Sequence, residues 1–116
     1  MALTIKPQGQ NLTMYQGAGF EKTFTAKDAN GANVTISSGT LVSKMKKNYS
    51  TTNTSFILTF NTSVDGSNVT ISALGSNTAT MQPGLYVYDV DYTQADGTSV
   101  EKIVHGMITV IPESTT

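Results

Sequence analysis

The chain has 116 residues, of which only 13% are charged, a net charge of −1 and no cysteine. That length suits one domain with a single core, and the missing cysteines exclude disulfide staples and thiolate chemistry. The near-neutral charge argues against nucleic acid as a partner, because a basic excess on one face is the usual footprint.

Apolar residues make up 38% of the chain, and Thr, Ser, Asn and Gly supply much of the rest. Thr and Tyr favour strands, whereas Gly, Asn, Ser and Asp break strands into short pieces. The expectation is an all-β domain with many turns. No apolar run approaches the ~20 residues that cross a bilayer, and the N-terminus lacks a signal-peptide pattern. A protein made in the cytoplasm, with no membrane partner, is therefore expected. Asn-x-Ser/Thr tripeptides begin at Asn11, Asn33, Asn48, Asn53, Asn61 and Asn68. A chain this rich in Asn, Ser and Thr generates them by chance, and without a signal they are discounted.

Residues 1–11 carry one apolar alternation, Leu3 and Ile5, and then Pro7 and Gly9. They are predicted to form an arm that docks on a neighbouring subunit or an edge strand, where proline is tolerated. The sandwich is placed at 12–112, with a tail at 113–116. Leu12 and Met14 alternate as in a strand, Gly17 and Gly19 break it, and Phe20 and Phe24 share one side of the next. Asp28-Ala-Asn30-Gly31 is a hairpin signal. Its alternative, a calcium loop, lacks the further oxygen ligands.

Val34 to Ile36 reads as a short strand ended by Gly39. The strand at 40–47 puts Leu41 and Met45 on one face and Val42, Lys44 and Lys46 on the other. Lys44, Lys46 and Lys47 form the basic cluster, read as a solvated face ahead of a phosphate or nucleic-acid patch. Phe56, Leu58 and Phe60 alternate, and Asp65-Gly66 leads into Val69, Ile71 and Ala73, a hairpin with a loop of several residues. Residues 75–82 suit one helical turn crossing the end of a sandwich.

Residues 83–92 organise the rest. Pro83-Gly84 is turn chemistry, and a β-rich run follows. Tyr86, Tyr88, Val90 and Tyr92 share one face of it; Leu85, Val87, Asp89 and Asp91 share the other. Gly84 and Tyr86 also fit the tyrosine corner, where a hydroxyl at the start of a Greek-key strand bonds backbone just upstream. Tyr88 then stands where antibody domains place a cysteine. Ala95-Asp96-Gly97-Thr98 signals another hairpin, and 100–111 is a long last strand that Pro112 stops. Gly106 within it marks a bulge or a close backbone approach.

The pattern predicts an immunoglobulin-like antiparallel β-sandwich of about seven to nine strands. Its expected core is Phe56, Leu58, Phe60, Val69, Ile71, Leu85, Val87, Ile108 and Val110. Active-site chemistry is hard to assemble. His105 is the single histidine, and no motif sets a Ser or Asp against it. Asp89 and Asp91 could share a cation, but a lone Asp-x-Asp supplies too few ligands. Tyr86, Tyr88 and Tyr92 could stack on sugar rings if their face were open, although aromatics at period two usually face a core. No phosphate loop, Cys/His metal spacing or paired catalytic carboxylates occur. A non-enzymatic protein without a cofactor is expected.

Several stretches in order carry a resemblance: Gln16-Gly-Ala-Gly-Phe20, the turn and strand over 28–39, and Val42-Ser-Lys44-Met-Lys46-Lys47. Gly84-Leu-Tyr-Val-Tyr-Asp-Val90 and Gly106-Met-Ile-Thr-Val110-Ile-Pro112-Glu113 complete the set. Together they resemble the small immunoglobulin-like virion proteins of tailed bacteriophages. That pattern also occurs in the N-terminal domain of phage upper-baseplate proteins and in structural proteins of cyanophage-like myoviruses. The residues before Leu12 depart from it, as do Lys46 and Lys47, where the family commonly has arginine. The resemblance brings no catalytic residues. It implies a building block of the particle at the capsid, neck or tail, multimeric there and made in the host cytoplasm, with other virion proteins as partners. A carbohydrate- or receptor-binding adhesion module is the alternative.

Overall fold

A computed structural model of the chain describes residues 5–36, 39–48, 57–94 and 100–112. Among these, the chain forms β1 (Gln8–Gly9), β2 (Leu12–Tyr15), β3 (Phe20–Thr25), β4 (Thr40–Lys46) and β5 (Ile57–Thr59). It continues as β6 (Asn61–Asp65), β7 (Asn68–Ala73), the helical turn α1 (Gly75–Thr78), β8 (Gly84–Thr93) and β9 (Val100–Ile111). The larger sheet runs β1-β9-β8-β4-β5, with β2 also against β9, and the smaller runs β3-β7-β6. Among the described residues this is an immunoglobulin-like β-sandwich of nine strands.

Two pairings depart from the antiparallel expectation: β1 and β2 both run parallel to β9. Parallel neighbours need a long connection, not a tight turn, and here almost the whole domain lies between them. The β1–β2 break is still tied to β9. Gln10 donates its backbone N–H to the His105 carbonyl at 3.0 Å, and the Asn11 side-chain oxygen accepts from the Met107 N–H at 3.1 Å. Gly106 is where this break presses closest, for a Cβ there would run into the Gln10 carbonyl. The bulge lies elsewhere. Register between β8 and β9 slips between Val90 and Asp91, so Ile103 is the extra residue. Ile103 and Val104 are consequently both buried, which strict alternation forbids.

The expected hairpin at 56–73 is rearranged. Its first strand, β5, belongs to the larger sheet, and the chain crosses at Phe60 to start β6 in the smaller one. Phe60 stays buried at the crossing and its N–H donates to the Ser43 carbonyl at 2.9 Å. The hairpin is β6–β7, with Asp65 opposite Asn68 and only Gly66 and Ser67 between them. Gly66 has φ +64° there, a left-handed conformation that favours glycine. Val34 and Ile36 are buried but form no strand. The turn at 95–98 lies outside the described residues; Thr93 pairs with Val100 across it.

Leu58, Phe60, Val69, Ile71, Ile108 and Val110 are buried as expected, and Phe56 lies outside the described residues. The expectation for β8 is reversed. Tyr86, Tyr88, Val90 and Tyr92 point inward, while Leu85 is 49% exposed and Val87 half-buried on the outer face. Alternation sets the period of a strand, not its sign. The aspartates decide it, because Asp89 and Asp91 share the face of Leu85 and Val87 and an unpaired carboxylate is costly inside.

Candidate interaction surface

The inward tyrosines remove the sugar-stacking platform. Tyr86, Tyr88 and Tyr92 are each no more than 2% exposed. The Tyr86 hydroxyl donates to the Gln82 carbonyl at 2.8 Å, four residues upstream, and Gly84 before it has φ +140°. The Tyr88 hydroxyl donates to the Gln10 carbonyl at 2.7 Å, tying β8 to the β1–β2 break. Burial raises both phenols above their ordinary value, and the Gln82 bond only partly offsets this at Tyr86.

Of the arm and the edge strand expected over 1–11, the described part lies on its own domain, with Gln8–Gly9 pairing with β9 at the edge of the larger sheet. Ile5 is buried in the core of its own domain, and its N–H donates to Glu101 Oε1 at 3.2 Å. Burying an isoleucine there offsets the loss of chain freedom that would otherwise keep such a segment loose. The backbone N–H of Lys6 next to it donates to the Lys27 carbonyl at 2.8 Å. Pro7 is exposed, and Leu3 lies outside the described residues.

The outer face of the larger sheet sets exposed apolar and charged side chains side by side. Its register sets them in rows. Ile57, Lys46, Val87 and Met107 stand opposite one another across β5, β4, β8 and β9. In the next row Thr59, Lys44, Asp89, His105 and Gly9 do the same. Val42, Asp91 and Lys102 form a third. Val42, Leu85 and Met107 are 44%, 49% and 43% exposed. Leu85, Val87 and Met107 adjoin one another on this face, whereas Val42 lies beyond the Lys44–Asp89–His105 row. Two open depressions flank the Val87 ridge. One, of about 240 Å³, is lined by Val42, Lys44, Lys46, Asp89 and Asp91. The other, of about 530 Å³, is lined by Gln10, Asn11, His105 and Met107.

Charge on this face is unevenly paired. The Lys102 ammonium lies 2.7 Å from Asp89 Oδ2 and 3.1 Å from Asp91 Oδ1. Burial pulls the Lys102 pKa down, but its bonds and attraction to both carboxylates outweigh that and raise it. The cation that Asp89 and Asp91 share is thus the protein's own ammonium. Lys44 sits opposite Asp89 in register, yet neither it nor Lys46 engages a carboxylate among the described residues. Lys47 is separate from them, its ammonium 5.1 Å over the Tyr86 ring. The three-lysine cluster is therefore split by the fold, two lysines on the face and one at the corner.

The remaining chemical candidates are not brought together. His105 is exposed, with Asp89 across from it and that carboxylate already held by Lys102. Asp28 Oδ1 accepts from the Asn30 and Ala32 N–H groups at 2.9 and 3.0 Å, so it closes its own turn. No group of three or more His, Asp or Glu side chains among the described residues is placed to hold a metal ion. The Val42–Leu85–Val87–Met107 surface is what reading the sequence missed, and Asp89 and Asp91 were the signal that would have found it.

No protein-family model matches the sequence, and no curated protein matches it. Among solved structures, Listeria monocytogenes InlP is similar, with a TM-score of 0.50 and 17% identity over 90% of this chain and 28% of that one. A family 123 glycoside hydrolase from Clostridium perfringens has a TM-score of 0.45 and 12% identity, over 91% of this chain and 23% of its own. AggA, the major subunit of aggregative adherence fimbriae type I from Escherichia coli, has a TM-score of 0.39 and 17% identity. It is matched over 93% of this chain and 92% of its own. The chain thus spans 28% and 23% of the first two proteins, and the likeness to InlP is one of fold.

Proposed function

We propose that the chain is a non-enzymatic structural component of a bacteriophage virion, acting through protein–protein contacts as a capsid, neck or tail accessory. The observation that carries the contact role is the outer face of the larger sheet, where Leu85 and Met107 stand exposed beside Val87 and Val42 stands exposed two rows away. Apolar side chains on a rigid sheet cost little ordering entropy when a neighbour covers them. The virion assignment rests on the ordered motifs from Gln16 to Glu113. The carbohydrate alternative loses support, because its tyrosines are core residues. Mass spectrometry of purified particles is the test: the protein is expected in stoichiometric amount. Presence in infected-cell lysate with absence from particles overturns the reading.

A further inference from the structure

We infer that the outer face of the larger sheet receives an acidic segment of a neighbouring protein, with Lys46 and Lys44 taking its carboxylates and Val42, Leu85, Val87 and Met107 its apolar side chains. This rests on the contact role proposed above and names the partner's chemistry.

Lys46 carries the argument. It is half-buried, with Ile57 opposite on one side and Val87 on the other, and Met107 stands beyond Val87. An ammonium in such a row lays its methylene stem along apolar neighbours and holds its charge at the surface. A carboxylate beside an apolar side chain complements that row. Lys44 extends the site by one row, and among the described residues it engages no carboxylate, Asp89 opposite it being held by Lys102 at 2.7 Å. The face thus carries Lys44, Lys46 and Lys102 against Asp89 and Asp91, a net +1 on a chain whose net charge is −1.

The same observations separate the possible occupants. A second copy docking by this face would set one positive surface on another. Docking by the outer face of the smaller sheet would present Glu21, Thr23, Ser63, Asp65, Asn68 and Thr70, a face with carboxylates but without an apolar side chain to meet the apolar floor. Nucleic acid is matched poorly, since phosphate binding draws on many cations, and among the described residues this face offers two outside an ion pair, Lys44 and Lys46. A protein segment alternating acidic and apolar residues answers both features.

The test uses the full chain, labelled with ¹⁵N, and a blocked decapeptide of alternating Glu and Val, with a Lys/Val decapeptide and random-sequence duplex DNA as controls. The Glu/Val peptide is expected to shift amides of β4, β8 and β9 around Lys46, Val87 and Met107. Lys44→Glu/Lys46→Glu should weaken it by about tenfold or more, and raising salt from about 0.05 to 0.5 M should weaken it several-fold. Lys22→Glu, on the smaller sheet, should leave it unchanged. Absence of shifts at millimolar peptide, equal binding of the Lys/Val peptide, tighter binding of DNA, or shifts confined to another face overturns the inference. Particle analysis of the wild type keeps the two readings apart. Wild type in particles with no peptide binding sinks the inference alone, whereas peptide binding with no protein in particles sinks the virion reading alone.

Discussion

The rings of Phe24 and Tyr88 stack across the sandwich, their centroids 6.4 Å apart and their planes 27° from parallel. Phe24 belongs to the smaller sheet and Tyr88 to the larger, so this contact joins the layers. Tyr88 stands two residues beyond the corner tyrosine, where antibody domains carry half of their inter-sheet disulfide. In a chain without cysteine, aromatic contact occupies that place, worth ~0.5–1.5 kcal/mol beyond the area it buries.

Removing the ring and removing the hydroxyl should therefore differ. Phe24→Ala is expected to cost ~3–5 kcal/mol. Tyr88→Phe keeps the stack, loses only the bond to Gln10 and should cost about 1 kcal/mol. Urea denaturation of both variants checks the ratio, and equal losses would show that the hydroxyl carries the contact.

The orientation of β8 has its own test. Leu58→Ala should cost ~2–5 kcal/mol, because Leu58 is buried. Leu85→Ser should change stability by no more than ~0.5 kcal/mol, because Leu85 faces solvent. Thermal melts of the two read the answer directly. A large drop for Leu85→Ser would put that side chain inside.

Gly106→Ala would drive a methyl group into the backbone of Gln10. A loss of ~1–3 kcal/mol is expected, typical of forced overpacking. Gly19→Ala is the control, since a Cβ there meets nothing within 4 Å. Hydrogen exchange should show the damage concentrated in β1 and β2. Uniform protection in Gly106→Ala would contradict the close approach.

Deleting residues 1–10 removes the buried Ile5 and the β1 pairing with Val104 and His105. The melting temperature is expected to fall, and Ile5→Ala alone should cost ~2–5 kcal/mol. An unchanged melting temperature in the deletion would return the segment to the status of a free arm.

Stability should fall in alkali. Burial raises the Tyr86 and Tyr88 phenols above 10.0, and Asp89 and Asp91 raise Lys102 above 10.5 against the opposing effect of burial. In each case the native state keeps a proton that the unfolded chain releases first. The contribution is complete below the unfolded values and is lost as pH climbs through the native ones. Melting temperatures measured upward from about pH 8 should decline beyond about pH 10, and less steeply in Tyr88→Phe. A flat profile would remove the burial argument.

Much of the fold was legible because its signals are local. Gly84 before Tyr86, the Asp28–Gly31 turn and the Asp65-Gly66 pair act within four or five residues, and each sits at a turn in the structure. Gly106 was legible as a point of close approach, but not its partner, since Gln10 is distant in sequence. The basic cluster was legible as a cluster; its division into Lys44 and Lys46 on one side and Lys47 on the other depends on where β4 ends.

The sequence by itself determined an all-β chain, the approximate limits of most of its strands, and the absence of cysteine chemistry, because propensity, turn residues and period-two alternation are properties of neighbours. Tertiary structure realised the choice of face in β8 by packing the tyrosines against Phe24, although Asp89 and Asp91 already marked the other face as the outer one. It also decided that the chain changes sheets at Phe60 and that Ile5 belongs to its own core. These choices compare burial across the whole domain, and no window of residues contains that comparison.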